Sequence, residues 1–164
     1  MSVALITGIA LGIVGIAYST VLGFTTEHTA DILRHTSIGI FSTLITLLGH
    51  SMTMFYLIGK GKAVREAARE GGLSPEFHRA VARARRPVFS MATVAMVLVM
   101  GTAIFGGGVD TDFIPAGVHS LLAVSALVAN LMALRTELVA MISIARTVAE
   151  VDQLLDEQAT TNEV

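Results

Sequence analysis

Three histidines, His35, His50 and His119, stand in runs of apolar residues long enough to cross a membrane. Hydrocarbon offers imidazole no water, so a histidine in such a run marks a task or a satisfied hydrogen bond. Neutral imidazole ligates iron, copper and zinc, and its ring nitrogens donate, accept and exchange protons. Gly39, Ser42, Thr43, Thr46, Gly49 and Thr53 share one helix side with His35 and His50, at about 100° per residue. That side is small and polar and must look into protein. A matching face runs through His119, Ala123, Ala126, Asn130, Ala133 and Glu137.

The elements that carry these faces follow from composition. The chain has 164 residues, 53% hydrophobic and 15% charged, against about 25% charged in a soluble domain. The apolar residues gather in four segments, about 4–24, 32–59, 88–109 and 113–144, each able to cross about 30 Å of hydrocarbon. The expected fold is an all-α integral membrane protein, a single four-transmembrane-helix bundle. No Lys or Arg precedes the first run, which reads as a retained helix rather than a cleaved signal.

Charge orients the bundle. Lys60, Lys62, Arg65, Arg69, Arg79, Arg83, Arg85 and Arg86 make up eight of the 11 Lys and Arg residues and all lie between the second and third segments. The positive-inside rule places this loop and both termini in the cytoplasm. A bacterial inner membrane suits that topology. The loop is expected to be helical in two pieces: an extension of the second helix to about residue 70, closed by Gly71-Gly72, then a start at Ser74-Pro75-Glu76. Pro87 predicts a kink or break. The basic loop is expected to touch anionic lipid headgroups, not nucleic acid. The last helix continues to about residue 157, with Val148, Val151, Leu154 and Leu155 near one face for the basic loop or a partner. A flexible tail is expected over 158–164. Other membrane subunits or a second copy of the chain are the expected partners.

The second and fourth helices run the same way, so His35 and His119 should lie at one depth near the outer surface. One expectation is that they are axial ligands of a b-type haem. Another is a copper, iron or zinc site built from His28, His35 and His119 with carboxylates of the outer loops, Glu27, Asp31, Asp110 and Asp112. A third is that no cofactor binds and these are interfacial hydrogen-bonders. His50 lies about 22 Å further along the helix. Two histidines so spaced on one helix resemble the diheme cytochrome b subunits, in which one helix serves two haems. A second full pair would then need a partner some fifteen positions past His119. Met132 and Leu134 stand there instead. Met132 is a weaker ligand, and Asn130 is a hydrogen-bond partner for His50 at similar depth.

Other chemistry is absent from the sequence. There is no cysteine, which excludes disulfides and thiolate sites. Gly106-Gly107-Gly108 lacks the GK[ST] of a phosphate loop. No hydrolytic motif appears, and no internal repeat is evident. Three functions therefore compete. The first is a haem- or metal-binding subunit in electron transfer, or an accessory subunit of a membrane complex. The second is a non-catalytic assembly subunit. The third is a small channel or transporter, for which no membrane-centre Asp, Glu, Lys or Arg is expected.

Overall fold

A computed structural model describes residues 1–162. They form four helices: α1 (Ser2–Phe24), α2 (Thr29–Glu70), α3 (Glu76–Asp110) and α4 (Ala116–Asn162). No strand occurs among the described residues. Each helix contains a window long and apolar enough to cross a membrane. Connections of four or five residues force antiparallel neighbours. α1 pairs most closely with α2, and α3 with α4. One end of the bundle, the histidine end, carries the α1–α2 and α3–α4 connections. The other, the basic end, carries the α2–α3 connection and the N-terminus.

Two connections share one closing motif. After α2, the Leu73 amide donates to the Ala68 carbonyl and the Gly72 amide to the Arg69 carbonyl, with Gly72 at φ +63°. After α3, the Phe113 amide donates to Gly108 and the Asp112 amide to Val109, with Asp112 at φ +56°. This is the Schellman arrangement, whose left-handed residue satisfies helix-end carbonyls. Asp112 takes the role usually given to glycine. The Ser74 hydroxyl accepts the Glu76 amide at the start of α3 (3.2 Å).

Three expected boundaries move. α3 passes through Pro87 as one helix. Proline removes one helix hydrogen bond, but Val81, Val88 and Ala92 are buried on both sides of it and hold the register. Gly106, Gly107 and Gly108, a glycine run that suggests the outer turn between the last two helices, lie inside α3. α4 continues through Asn162 instead of fraying from 158, with Thr160 and Thr161 bonded back to the carbonyls of Asp156 and Glu157. The last two residues of the expected tail lie outside the described residues.

The bundle is held together differently along its length. At the basic end, Val64, Val81, Val88, Ile144 and Val151 form a core with Leu57 and Met141, and Phe77, Leu73, Val148 and Leu155 pack against it. The amphipathic end of α4 thus lies on the helices of the basic loop, with Leu155 against Gly71. Where these helices extend into water, burial of apolar area drives that packing. Between the apolar spans the contact is close backbone approach, the kind by which helices associate where lipid is as apolar as leucine. Gly12 meets Thr46 and Ile45, Gly15 meets Ser42, and Gly49 meets Ile9. Small residues on α1 and α2 let the two backbones nearly touch.

Candidate functional site

The structure brings His35 and His119 together. Their ring centroids are 6.0 Å apart and their planes cross at 89°. Both line a cavity of about 350 Å³ at the histidine end, enclosed by all four helices. Its walls are mostly small: Ser19, Gly39, Ala103, Ala123 and Ala126 among them, with Thr43 towards its floor. In most membrane bundles small residues let helices close up. Here they leave space.

Each imidazole rests against a glycine of the preceding helix. A Cβ on Gly23 would lie 2.9 Å from His35 Cε1, and one on Gly106 would lie 3.2 Å from His119 Cε1. His35 Nδ1 is 2.8 Å from the Ser19 carbonyl oxygen. A carbonyl only accepts, so Nδ1 carries the hydrogen and Nε2 holds the lone pair. The Ser19 hydroxyl donates to the His35 carbonyl (3.1 Å) and fixes the pair of helices around it. A histidine whose Nδ1–H is held by a backbone carbonyl is the usual form of a metal-binding imidazole. The His119 ring lies by the backbone of Thr102, and its buried Nδ1 has no hydrogen-bond partner.

These matching surroundings reflect a repeat that sequence reading missed. Leu5, Ile9, Gly12, Ile16, Ser19 and Gly23 of α1 recur as Val88, Ala92, Ala95, Val99, Thr102 and Gly106 of α3, at a constant offset of 83. His35, Gly39, Ser42, Thr46, Gly49, Thr53 and Leu57 of α2 recur as His119, Ala123, Ala126, Asn130, Ala133, Glu137 and Met141 of α4, at an offset of 84. Nine of these 13 pairs are buried on both sides of the comparison, and the other four lie at the histidine end. The chain is two α-hairpins in tandem, and His35 and His119 are one position seen twice.

The same register explains why no second histidine pair forms. The counterpart of His50 is Leu134, and the counterparts of Thr46 and Thr53 are Asn130 and Glu137. His50 is fully buried and engages both polar newcomers. Its Nε2 lies 3.0 Å from Asn130 Oδ1 and its Nδ1 lies 2.7 Å from Glu137 Oε1. The Asn130 amide nitrogen donates to the Ala126 carbonyl (2.7 Å). That donation fixes the amide, so Oδ1 must accept and His50 Nε2 must carry a hydrogen. Both ring nitrogens are occupied, so His50 and Asn130 are a hydrogen-bonded pair and not a second ligand set.

Three expectations are corrected here. Met132 is 53% exposed on the outside of the bundle and cannot reach His50. His28 is exposed at the start of α2, where its amide donates to the Asp31 carboxylate (3.2 Å), and it does not line the cavity with His35 and His119. Glu137 is wholly buried beside His50, against the expectation of no acidic side chain at the membrane centre. Of the loop carboxylates, only Asp110 reaches the cavity wall. Among the described residues, no three His, Asp or Glu side chains converge as a metal site.

Compared with protein-family models, curated proteins and solved structures, the chain matches none.

Proposed function

We propose that the protein spans a membrane with its basic end in the cytoplasm and holds a b-type haem between His35 and His119. It would act in electron transfer or as an accessory subunit of a larger membrane complex. The observation that carries this reading is two equivalent imidazoles facing one cavity, each backed by a glycine. The two rings, with centroids 6.0 Å apart, would hold the haem iron between them. The cavity falls within the range of about 300–1,000 Å³ common for ligand pockets.

Two imidazoles leave a bare ion short of ligands, and no third His, Asp or Glu joins them among the described residues. A group that brings its own four equatorial nitrogens removes that shortage. This favours haem over a naked copper, iron or zinc ion. Haem held by two histidines supplies one-electron chemistry. The protein's part is orientation: Ser19 aims the His35 lone pair, and Gly23 and Gly106 leave the rings room. At the other end, the exposed Arg65, Arg69 and Arg86 suit contact with anionic headgroups.

A transport reading gains an ionisable core residue in Glu137. It lacks a path, because towards the basic end the core closes with Leu57, Met141 and Ile144.

The test is the absorption spectrum of the purified protein, with metal analysis. A Soret band and one iron per chain are expected. Both should be lost in His35→Ala and in His119→Ala, and reduced in Gly106→Leu, which fills the space beside His119. A protein without a Soret band and without stoichiometric iron, copper or zinc would remove the proposal.

A further inference from the structure

His50 and Glu137 take no part in the site above, yet they are the most expensive polar groups in the bundle. Neither side chain has any solvent exposure. From the geometry we infer that they form a proton well, open to exchange from the histidine end and closed toward the basic end.

The hydrogen-bond chain counts the protons. The Ala126 carbonyl orients the Asn130 amide, the amide oxygen takes the His50 Nε2 hydrogen, and one further proton is left between His50 Nδ1 and Glu137 Oε1. It can sit on nitrogen, as imidazolium beside carboxylate, or on oxygen, as imidazole beside carboxylic acid. Both forms carry no net charge. Transfer between them breaks one N–H bond and makes one O–H bond across 2.7 Å, within the range of short charge-assisted hydrogen bonds. Losing the proton would set two lone pairs against each other. Gaining another has a place to go: Glu137 Oε2 is buried and without a partner, and so is the Thr53 hydroxyl, one turn from His50. Buried polar atoms rarely stay unpaired, so two beside one pair mark room for a proton or a water.

The surroundings decide the direction of exchange. Ala126 and Thr43 line the cavity, which places its floor one hydrogen bond from Asn130 and two from His50. An amide does not itself relay a proton. Thr46, buried one turn before His50, donates its hydroxyl to the Ser42 carbonyl (2.7 Å), and passage around Asn130 requires that hydroxyl to turn. Toward the basic end, Leu57, Ala140, Met141 and Ile144 offer no polar group. The groups facing the pair from α1 and α3 are apolar: Ile9 packs on Gly49 beside His50, and Met96 takes the hydroxyl of the adjacent Ser51. The ionisable side chain that Glu137 touches is His50.

The test uses the full chain in lipid, with glutamate labelled by ¹³C at the side-chain carboxyl and histidine by ¹⁵N. Glu137 is the only buried glutamate among the described residues. Its carboxyl signal is therefore the one that a water-soluble paramagnetic agent leaves sharp, and Glu137→Gln should delete it. That first criterion serves if the variant fails to fold. The expected result is a carboxyl signal that moves between its acid and carboxylate positions as bulk pH changes, in step with the His50 ring nitrogens. Proteoliposomes under a pH gradient should leak protons no faster than empty vesicles. A Glu137 signal indifferent to bulk pH, or one titrating unchanged in His50→Gln, would overturn the well. A sustained proton flux abolished by Glu137→Gln would overturn its closure. Neither result depends on haem, so failure here is separate from failure of the absorption test.

Discussion

Glu137 ends on His50, not at the membrane surface: Oε1 lies 2.7 Å from Nδ1 although 87 residues separate the two in the chain. Removing either partner leaves the other buried without its ionisable contact. His50→Ala and Glu137→Ala should each lower stability by about 3–5 kcal/mol. The double variant His50→Leu/Glu137→Leu should cost clearly less than the sum, because no buried polar group remains. Denaturant unfolding in detergent micelles measures the cycle, and strict additivity would show that the pair is not coupled.

The two helix-closing residues predict opposite outcomes. Gly72 sits at φ +63°, so Gly72→Ala should destabilise by about 1–2 kcal/mol. Asp112 holds a similar conformation at φ +56° with a side chain present. Asp112→Gly should leave stability unchanged or raise it by up to about 1 kcal/mol. Thermal melts of the two variants, read side by side, check the assignment.

Glycines on α1 should divide by what lies opposite. A Cβ on Gly12 would meet the Thr46 backbone nitrogen at 3.1 Å, and one on Gly15 would meet Ser42 Cβ at 2.9 Å. Alanine at either place should cost about 1–3 kcal/mol by forcing the helices apart. Gly8 has open space around it. Gly8→Ala should be neutral or stabilising by about 0.5–1 kcal/mol, since glycine weakens a helix interior. Equal effects at all three positions would argue against the close α1–α2 crossing.

At the start of α3, a hydrogen bond from Arg79 holds the Glu76 carboxyl below its usual range, with charge from Arg79 and Arg83 adding to the effect. A carboxylate so lowered stabilises the fold above its unfolded pKa, and that contribution fades as pH falls through the folded value. The group is fully exposed, so salt should screen the effect. Glu76→Gln should therefore flatten the acid side of the stability profile slightly, and more at low salt than at high. Melting temperature against pH at two ionic strengths is the measurement.

Much of this arrangement is legible in the residues. Four apolar runs and a basic loop dictate the helices. Equal register from the same end then levels His35 with His119, and depth alone pairs His50 with Asn130. Glu137 illustrates what is not legible. It shares the inward face of His119, but the nearby Arg135 belongs to the surface, and a long side chain near the end of an apolar run can turn either way. The cavity is also hidden, since small residues on a stripe usually signal contact rather than space. The repeat escapes notice because its counterparts, such as Ile9 with Ala92 and Thr46 with Asn130, preserve place and burial without preserving identity.

Arg34 lies over the Tyr18 ring near the start of α2, and Lys60 over the Tyr56 ring where its apolar run ends. Aromatic rings beside cations suit the two membrane–water boundaries. At 1.5 Å per residue they stand about 39 Å apart, close to the full thickness of a bilayer with its headgroups. His50 lies about 24 Å from the Arg34 boundary. A proton loaded from the histidine end therefore travels through more than half of the transmembrane voltage. With about 2.3 kcal/mol per charge for each 100 mV across the whole bilayer, that step carries roughly 1–1.5 kcal/mol per 100 mV. If the pair exchanges protons as proposed, its occupancy is tied to the electrical state of the membrane as well as to pH.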